Sequence, residues 1–191
     1  MLTFIDLIFP PKCSFCGKMD NVDHDSFVCS KCINNLPFYK EEYRYHNTSI
    51  SRETPFKSLD AVYCLFKYTN NVKKAFIRYK FQGDISVYKS FAILMYDMLL
   101  CEKAFESVDY ITAVPISDEK FAQRGFNQSL LIANEISKLS GIQYMELLKR
   151  PYQGVTQSKV SAEERLHAKE RFSVIDNRLN YVVNLNLWMR D

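Results

Sequence analysis

The chain has 191 residues, is 47% hydrophobic and 25% charged, and carries a formal net charge of +3. That length holds one ordinary domain plus a small module. The charge is too mild to imply nucleic-acid binding by itself, and five glycines and six prolines exclude a low-complexity or collagen-like chain.

The first segment, "MLTFIDLIFPP", is apolar but short, has no basic n-region and is followed by no small-residue cleavage site. It reads as a segment that packs on the folded body rather than a secretory signal. No stretch reaches the roughly 20 apolar residues that cross a bilayer. The expected location is therefore the cytoplasm, where disulfides are rare and clustered thiols more often hold metal.

Four of the six cysteines follow at once. Cys13, Cys16, Cys29 and Cys32 form C-x2-C, twelve residues, C-x2-C. A two-residue gap turns both thiolates of a pair toward one ion, and Gly17 eases the turn. Four thiolates complete tetrahedral Zn2+ with no position left for water, so the expected site is structural. A short segment with little core of its own depends on such an ion for folding. His24, between the pairs, reads as a surface residue. Cys64 and Cys101, single within apolar patterns, read as core. Residues 1–40 form this module, and the polar, irregular stretch 41–57 reads as a linker or elaborated loop.

From residue 58 the pattern changes. "SLDAVYCLFKY" (58–68) is strand-like. Val72, Ala75, Phe76 and Tyr79 then mark one face of a helix, and Gly83 suits its C-terminus. Val87, Phe91, Leu94 and Met98 repeat that period. "VDYITAV" (108–114) has the apolar character of a buried parallel strand. A polar loop through Pro115, carrying Lys120 and Arg124, leads to a helix from about Asn127 to Leu139. "IQYMELL" reads as another strand. Ser161 and Glu164 begin a charged helix as a capping box. Alternating strands and helices predict an α/β body with a mainly parallel sheet.

The stretch "KFAQRGFNQSLLIANEIS" (120–137) carries the chemistry. Helix N–H groups at Asn127 and Gln128 would favour an anion, and Arg124 adds a forked cation able to bind phosphate bidentately. Gly125 permits close backbone approach, and Phe126 can pack under the loop. An ordinary βα loop with a surface arginine is the competing reading.

"DYITAVPIS", then "KFAQRGFNQSLLIANEIS", resembles the signature of the ComF family of phosphoribosyltransferase-like proteins. "DLIFPPKCSFCG", the cysteine quartet, "IRYKFQGD" (77–84) and "TQSKVSAEERLHAKERFSV" (156–174) agree in order, so the resemblance runs from residue 6 to about 176. It implies a competence-associated protein with a double zinc ribbon joined to a type I phosphoribosyltransferase fold, here residues 58–176. It also implies a link to DNA uptake. By that resemblance Lys120, Arg124, Gly125, Asn127 and Gln128 would hold the pyrophosphate part of phosphoribosyl pyrophosphate. Lys80, Gln157 and Arg165 are weaker matches, and Mg2+ would be required only if the site were complete.

The family follows its main buried strand with two adjacent acidic residues and a T-T-G-type loop. Residues 177–191, "NRLNYVVNLNLWMRD", contain neither, and form a divergent tail with the alternation of a half-exposed strand. The phosphoribosyltransferase-like domain is on this reading incomplete and without catalytic activity. An alternative is a single-stranded DNA or protein-binding module acting through zinc, with Lys12, Lys18 and Lys31 around the cysteines and Phe15 and Phe27 to stack on bases. A solvated surface explains the same lysines.

A naturally shortened member, a frameshifted or truncated gene and a diverged binding protein each account for the tail, the second being favoured. An acidic pair and T-T-G encoded in another frame after codon 191 is the expected finding on sequencing the gene, and its absence sinks the frameshift account.

Overall fold

The computed structural model describes residues 10–39, 61–106 and 108–150, with the strand segments 45–46, 173–174 and 182–185. The region 161–164 lies outside these residues.

The cysteine-rich segment is a tight knuckle. Cys13 N–H and Ser14 N–H bond to the carbonyls of Lys18 and Phe27, at 2.8 and 3.0 Å, and Val22 bridges Cys29. A single turn, α1 (Ser30–Ile33), carries Cys32. Beyond it, β1 (Tyr45–His46) pairs antiparallel with β2 (Ala61–Val62). Among the described residues of the strand expected over 58–68, Ala61 and Val62 are in β2, and Phe66 forms one bridge to Phe38. Part of the stretch read as linker belongs to this ribbon.

Helix α2 (Asn70–Phe81) buries Val72, Ala75 and Tyr79, the face its spacing predicts. It ends where Gly83 adopts φ +70°, which lets both Gln82 N–H and Asp84 N–H reach the carbonyl of Arg78. Helix α3 (Val87–Cys101) buries Val87, Phe91 and Leu94, again as spaced. Cys101 is exposed and Cys64 only half-buried, against the expectation of core thiols. Cys101 is the last residue of α3, two past Leu99, where the helix outruns the core.

The central strand is β3 (Tyr110–Ala113), with Ile111, Thr112 and Ala113 buried. The run to residue 127, expected as a loop, instead contains α4 (Asp118–Arg124). Ser117 caps it by accepting from Lys120 N–H, Asp118 and Glu119 occupy the first turn, and Gly125 closes it in the left-handed conformation at φ +78°. Helix α5 (Gln128–Ser140) is capped by Asn127 and ended by Gly141. "IQYMELL" divides into β4 (Gln143–Tyr144) and β5 (Leu148–Lys149). Between them Met145 N–H bonds to Ile111 C=O and Leu147 N–H to Thr112 Oγ1, turning the chain off the sheet.

Strand β5 pairs antiparallel with β6 (Ser173–Val174). Strand β7 (Val182–Leu185) lies parallel to β3, Tyr110 opposite Val182 and Ala113 opposite Leu185. The parallel sheet therefore runs β4-β3-β7, and the tail read as divergent supplies one of its strands. Helix α3 packs against α5, which lies on β3. The architecture is mixed α/β, as the alternation of elements predicts.

One core joins the knuckle to the helices. Phe15, 1% exposed, meets Phe66 and Phe91 edge-on, each at 5.7 Å. Ser90 of α3 donates to Ser14 Oγ, and it also lies 2.6 Å from the carbonyl of Ser26. Arg78 donates to the carbonyl of Ser14. Tyr79, wholly buried, donates to the carbonyl of Gln128 at 2.7 Å. Phe15→Ala should cost about 3–5 kcal/mol in urea unfolding, and a loss below about 1 kcal/mol would show that the knuckle is not part of the core.

Candidate metal centre and anion pocket

The four cysteine sulfurs lie within 4.8 Å of one another. Cys16 Sγ and Cys29 Sγ are 3.7 Å apart. A tetrahedral zinc thiolate site with bonds of about 2.3 Å has sulfurs about 3.8 Å apart, the spacing of the Cys16–Cys29 pair, so the donor set and its clustering fit the ion. Burial pushes the Cys13 thiol up, but N–H groups of Cys29, Cys16 and Phe15 more than offset this and bring it to about 7. Burial and the neighbouring thiols push Cys32 far above the ordinary range, and burial also raises Cys16. Four crowded sulfurs do not ionise together without a cation, which a zinc ion held by the quartet would supply. His24 is exposed and stands outside the quartet, as expected.

Around this centre Lys12, Lys18 and Lys31 are exposed. Phe15 is not available to stack on a base: its ring is in the aromatic cluster of the core, and only the half-buried Phe27 remains, beneath Lys89 at 5.4 Å. The spacing of aromatics around a knuckle does not distinguish a ring that faces out from one that anchors it.

The second site joins two segments far apart in sequence. Lys80, Phe81, Gln82 and Gly83, at the end of α2, face Gln123, Arg124 and Phe126 across a cavity of about 270 Å³. Helix-terminating glycines create it, because Gly83 and Gly125 reverse the chain at the two helix ends. Phe126 packs on Tyr79 at 5.7 Å, so the turn after α4 is seated on α2.

The residues of "RGFNQ" divide between the cavity and the frame. Arg124 lines the cavity, its guanidinium 5.4 Å from the Phe81 ring centre, and its Nη1 donates to Gln128 Oε1 at 3.2 Å. Burial lowers its pKa from the ordinary arginine value. Arg124 Nε and Gln128 Nε2 are buried and have no hydrogen-bond partner. Asn127 is a clamp: Nδ2 donates to Val114 C=O at 3.1 Å, and Oδ1 accepts from Ser129 and Leu130 N–H. The cap thus takes up the Ser129 and Leu130 amides, which are therefore not open to an anion. Gly125 forms the turn. Lys120 lies in the first turn of α4 and does not line the cavity. Lys80 does, with Nζ 5.6 Å from the Phe81 ring centre. Gln157 and Arg165 lie outside the described residues. Phe81, Gln82 and Gln123 line the cavity without having been singled out from sequence, and Gly83 had been read only as a helix terminus.

Comparison with known proteins follows this geometry. The double zinc ribbon domain family matches residues 4–43. Competence protein ComFC of Streptococcus pneumoniae (strain ATCC BAA-255 / R6) is 27% identical over 184 residues, spanning 85% of this chain and 79% of its own. The chain is thus similar to a competence protein over most of its length and to the double zinc ribbon family at its N-terminus. No solved structure matches it. The similarity to ComFC covers 85% of the chain, and the double zinc ribbon match contains all four cysteines. Among the described residues no helix is long and apolar enough to cross a membrane.

The zinc content should be one ion per chain by atomic emission. Stripping it with a strong chelator should release the knuckle and expose the Phe15 cluster, read as a rise in hydrophobic dye binding. A chain that keeps its native near-ultraviolet signal after losing zinc would contradict a structural role.

Proposed function

We propose that this chain is a ComF-family protein and uses the Lys80–Arg124 cavity to bind the pyrophosphate group of phosphoribosyl pyrophosphate, or an anion like it, in the context of DNA uptake. The α/β body is read as phosphoribosyltransferase-like. One observation carries the reading: "KFQGD" and "QRGFNQ", the segments matched on resemblance, meet at a single cavity with a lysine and an arginine in its wall. Arg124, in that wall, also has its Nε buried without a hydrogen-bond partner. The relative's name, competence protein, supports the link to DNA uptake.

Binding without transfer is the second half of the proposal. The family's acidic pair holds the ribose hydroxyls and supports charge at the anomeric carbon, and its T-T-G loop cradles the 5′-phosphate. In this chain the strand parallel to β3 is followed in sequence by Asn186 and Leu187, neither of them acidic, and no T-T-G occurs in residues 177–191. Losing one such electrostatic group costs about 10²–10³ in rate. Mg2+ would enter only with a bound pyrophosphate, bridging its oxygens.

Calorimetry of phosphoribosyl pyrophosphate with Mg2+ into the zinc-loaded chain should give saturable heat at millimolar ligand or below. Arg124→Ala should weaken it about tenfold or more, as expected for a charge-assisted contact, with no release of pyrophosphate in the presence of any purine or pyrimidine base. Absence of heat would remove the anion site, and turnover would remove the claim of binding without transfer. Single-stranded DNA binding that is salt-dependent and lost on Cys13→Ser would favour the zinc face instead.

A further inference from the structure

The zinc module and the cavity meet at a side chain that belongs to neither. Arg78, in the last turn of α2, is outside both the cysteine quartet and the cavity lining. Its guanidinium spans the two. Nη2 donates to the carbonyl of Ser14, which lies between the ligand Cys13 and the anchor Phe15, and Nε donates to Asp84 Oδ2 at 3.1 Å. The main-chain carbonyl of Arg78 accepts from Gln82 and Asp84 N–H at 3.0 and 3.2 Å. The turn at Gly83 is thus tied to Arg78 by side chain and backbone together. Gln82 and Gly83 are cavity wall, and Asp84 is the next residue.

The Arg78–Asp84 ion pair contributes little to stability, since its side chains are 29% and 33% exposed and water screens them. Its consequence is positional: a planar, forked cation with two acceptors fixes the distance between them. The Ser14 end is itself immobile once the quartet closes, because Ser14 is buried and its N–H is bonded to the carbonyl of Phe27. We propose that Arg78 is a positioning residue for the cavity, bracing the wall 82–84 against the zinc-closed knuckle so that anion affinity depends on knuckle closure. The inference rests on the anion-binding reading above and names what regulates that site.

The opposite wall hangs on the same helical turn. Tyr79 donates to the carbonyl of Gln128 at 2.7 Å, and Gln128 Oε1 accepts from Arg124 Nη1 at 3.2 Å. One turn of α2 therefore sets both walls, and Arg78 ties that turn to the zinc module. Asp84 Oδ1 accepts from Ser86 Oγ at 2.6 Å, at the start of α3, which holds the far side of the Gly83 turn. A wall fixed in advance leaves less ordering to be done when a ligand binds. By linkage, an anion that prefers the braced wall favours the closed, zinc-holding knuckle by the same factor.

Charge and bracing predict opposite signs for one substitution. Removing the Asp84 carboxylate leaves the region more positive, so Coulomb attraction alone would tighten an anion. A lost brace should instead make Asp84→Ala weaken pyrophosphate binding to the zinc-loaded full chain about fivefold or more by calorimetry. Arg78→Lys keeps the charge but cannot fork between two acceptors, so it should weaken binding by a similar factor. The double variant should bind no more weakly than the poorer single variant. Each should keep one zinc per chain and native circular dichroism, with the amide resonances of residues 82–84 displaced. In the native chain, saturating sulfate, an anion that does not sequester zinc, should raise zinc affinity about fivefold over chloride at equal ionic strength. Competition with a chromophoric chelator reads this gain, and Arg78→Lys should abolish it. Tighter binding by Asp84→Ala, native binding by Arg78→Lys, or a sulfate effect that survives Arg78→Lys would overturn the brace and leave the anion site standing. Silence of the native chain toward pyrophosphate and sulfate would overturn the anion site, while displaced 82–84 amides in Arg78→Lys would still report the brace. Loss of zinc or of native dichroism in both variants would show the contact to be structural only.

Discussion

The fold depends on the closure of the cysteine quartet, because that closure places Ser14 and Phe15 into the helical body. Phe15 completes the aromatic cluster with Phe66 and Phe91, and Ser14 receives bonds from Ser90 and Arg78. A knuckle of this length has little core of its own, so the ion and the helices stabilise it together. The last turn of α2 then distributes the constraint. Arg78 reaches the knuckle, Tyr79 reaches the first residue of α5, and Lys80 and Phe81 line the cavity. Consecutive residues on one helical turn point in different directions, which is how the zinc centre and the cavity come to share a support.

That arrangement changes what the "RGFNQ" corner does. Asn127 fills the N-terminus of α5 with its own side chain and ties it to the end of β3 through Val114. Gln128 gives its backbone carbonyl to Tyr79 and its side-chain carbonyl to Arg124. These two residues hold the frame, and the cationic side chains in the cavity wall are Arg124 and Lys80.

Much of this was legible from sequence where one strong physical rule acts alone. The quartet follows from ligand spacing, the buried faces of α2 and α3 from helical period, and β3 from a continuous apolar run. Reading failed where two rules competed. "SDEKFAQRG" has a cap, an acidic first turn and a terminal glycine, yet it is too short and too polar for periodicity to mark it as α4. Phe15 and Phe81 are both phenylalanines beside a motif, and only the tertiary packing decides that one is an anchor and the other a wall. Strand β7 alternates in sequence and nevertheless pairs with the central strand, since backbone pairing with β3 outweighs the weak pattern of its side chains. The cavity itself had no signal along the chain, because its two walls lie about forty residues apart.

The most direct test of the account is a pyrophosphate titration of the isotope-labelled, zinc-loaded chain followed by amide nuclear magnetic resonance. If the two motifs form one pocket, the amides of residues 80–83 and 123–126 should shift together with a single saturating dependence on ligand, while those of residues 13–32 stay in place. Shifts confined to one segment, or centred on the lysines around the zinc, would contradict it.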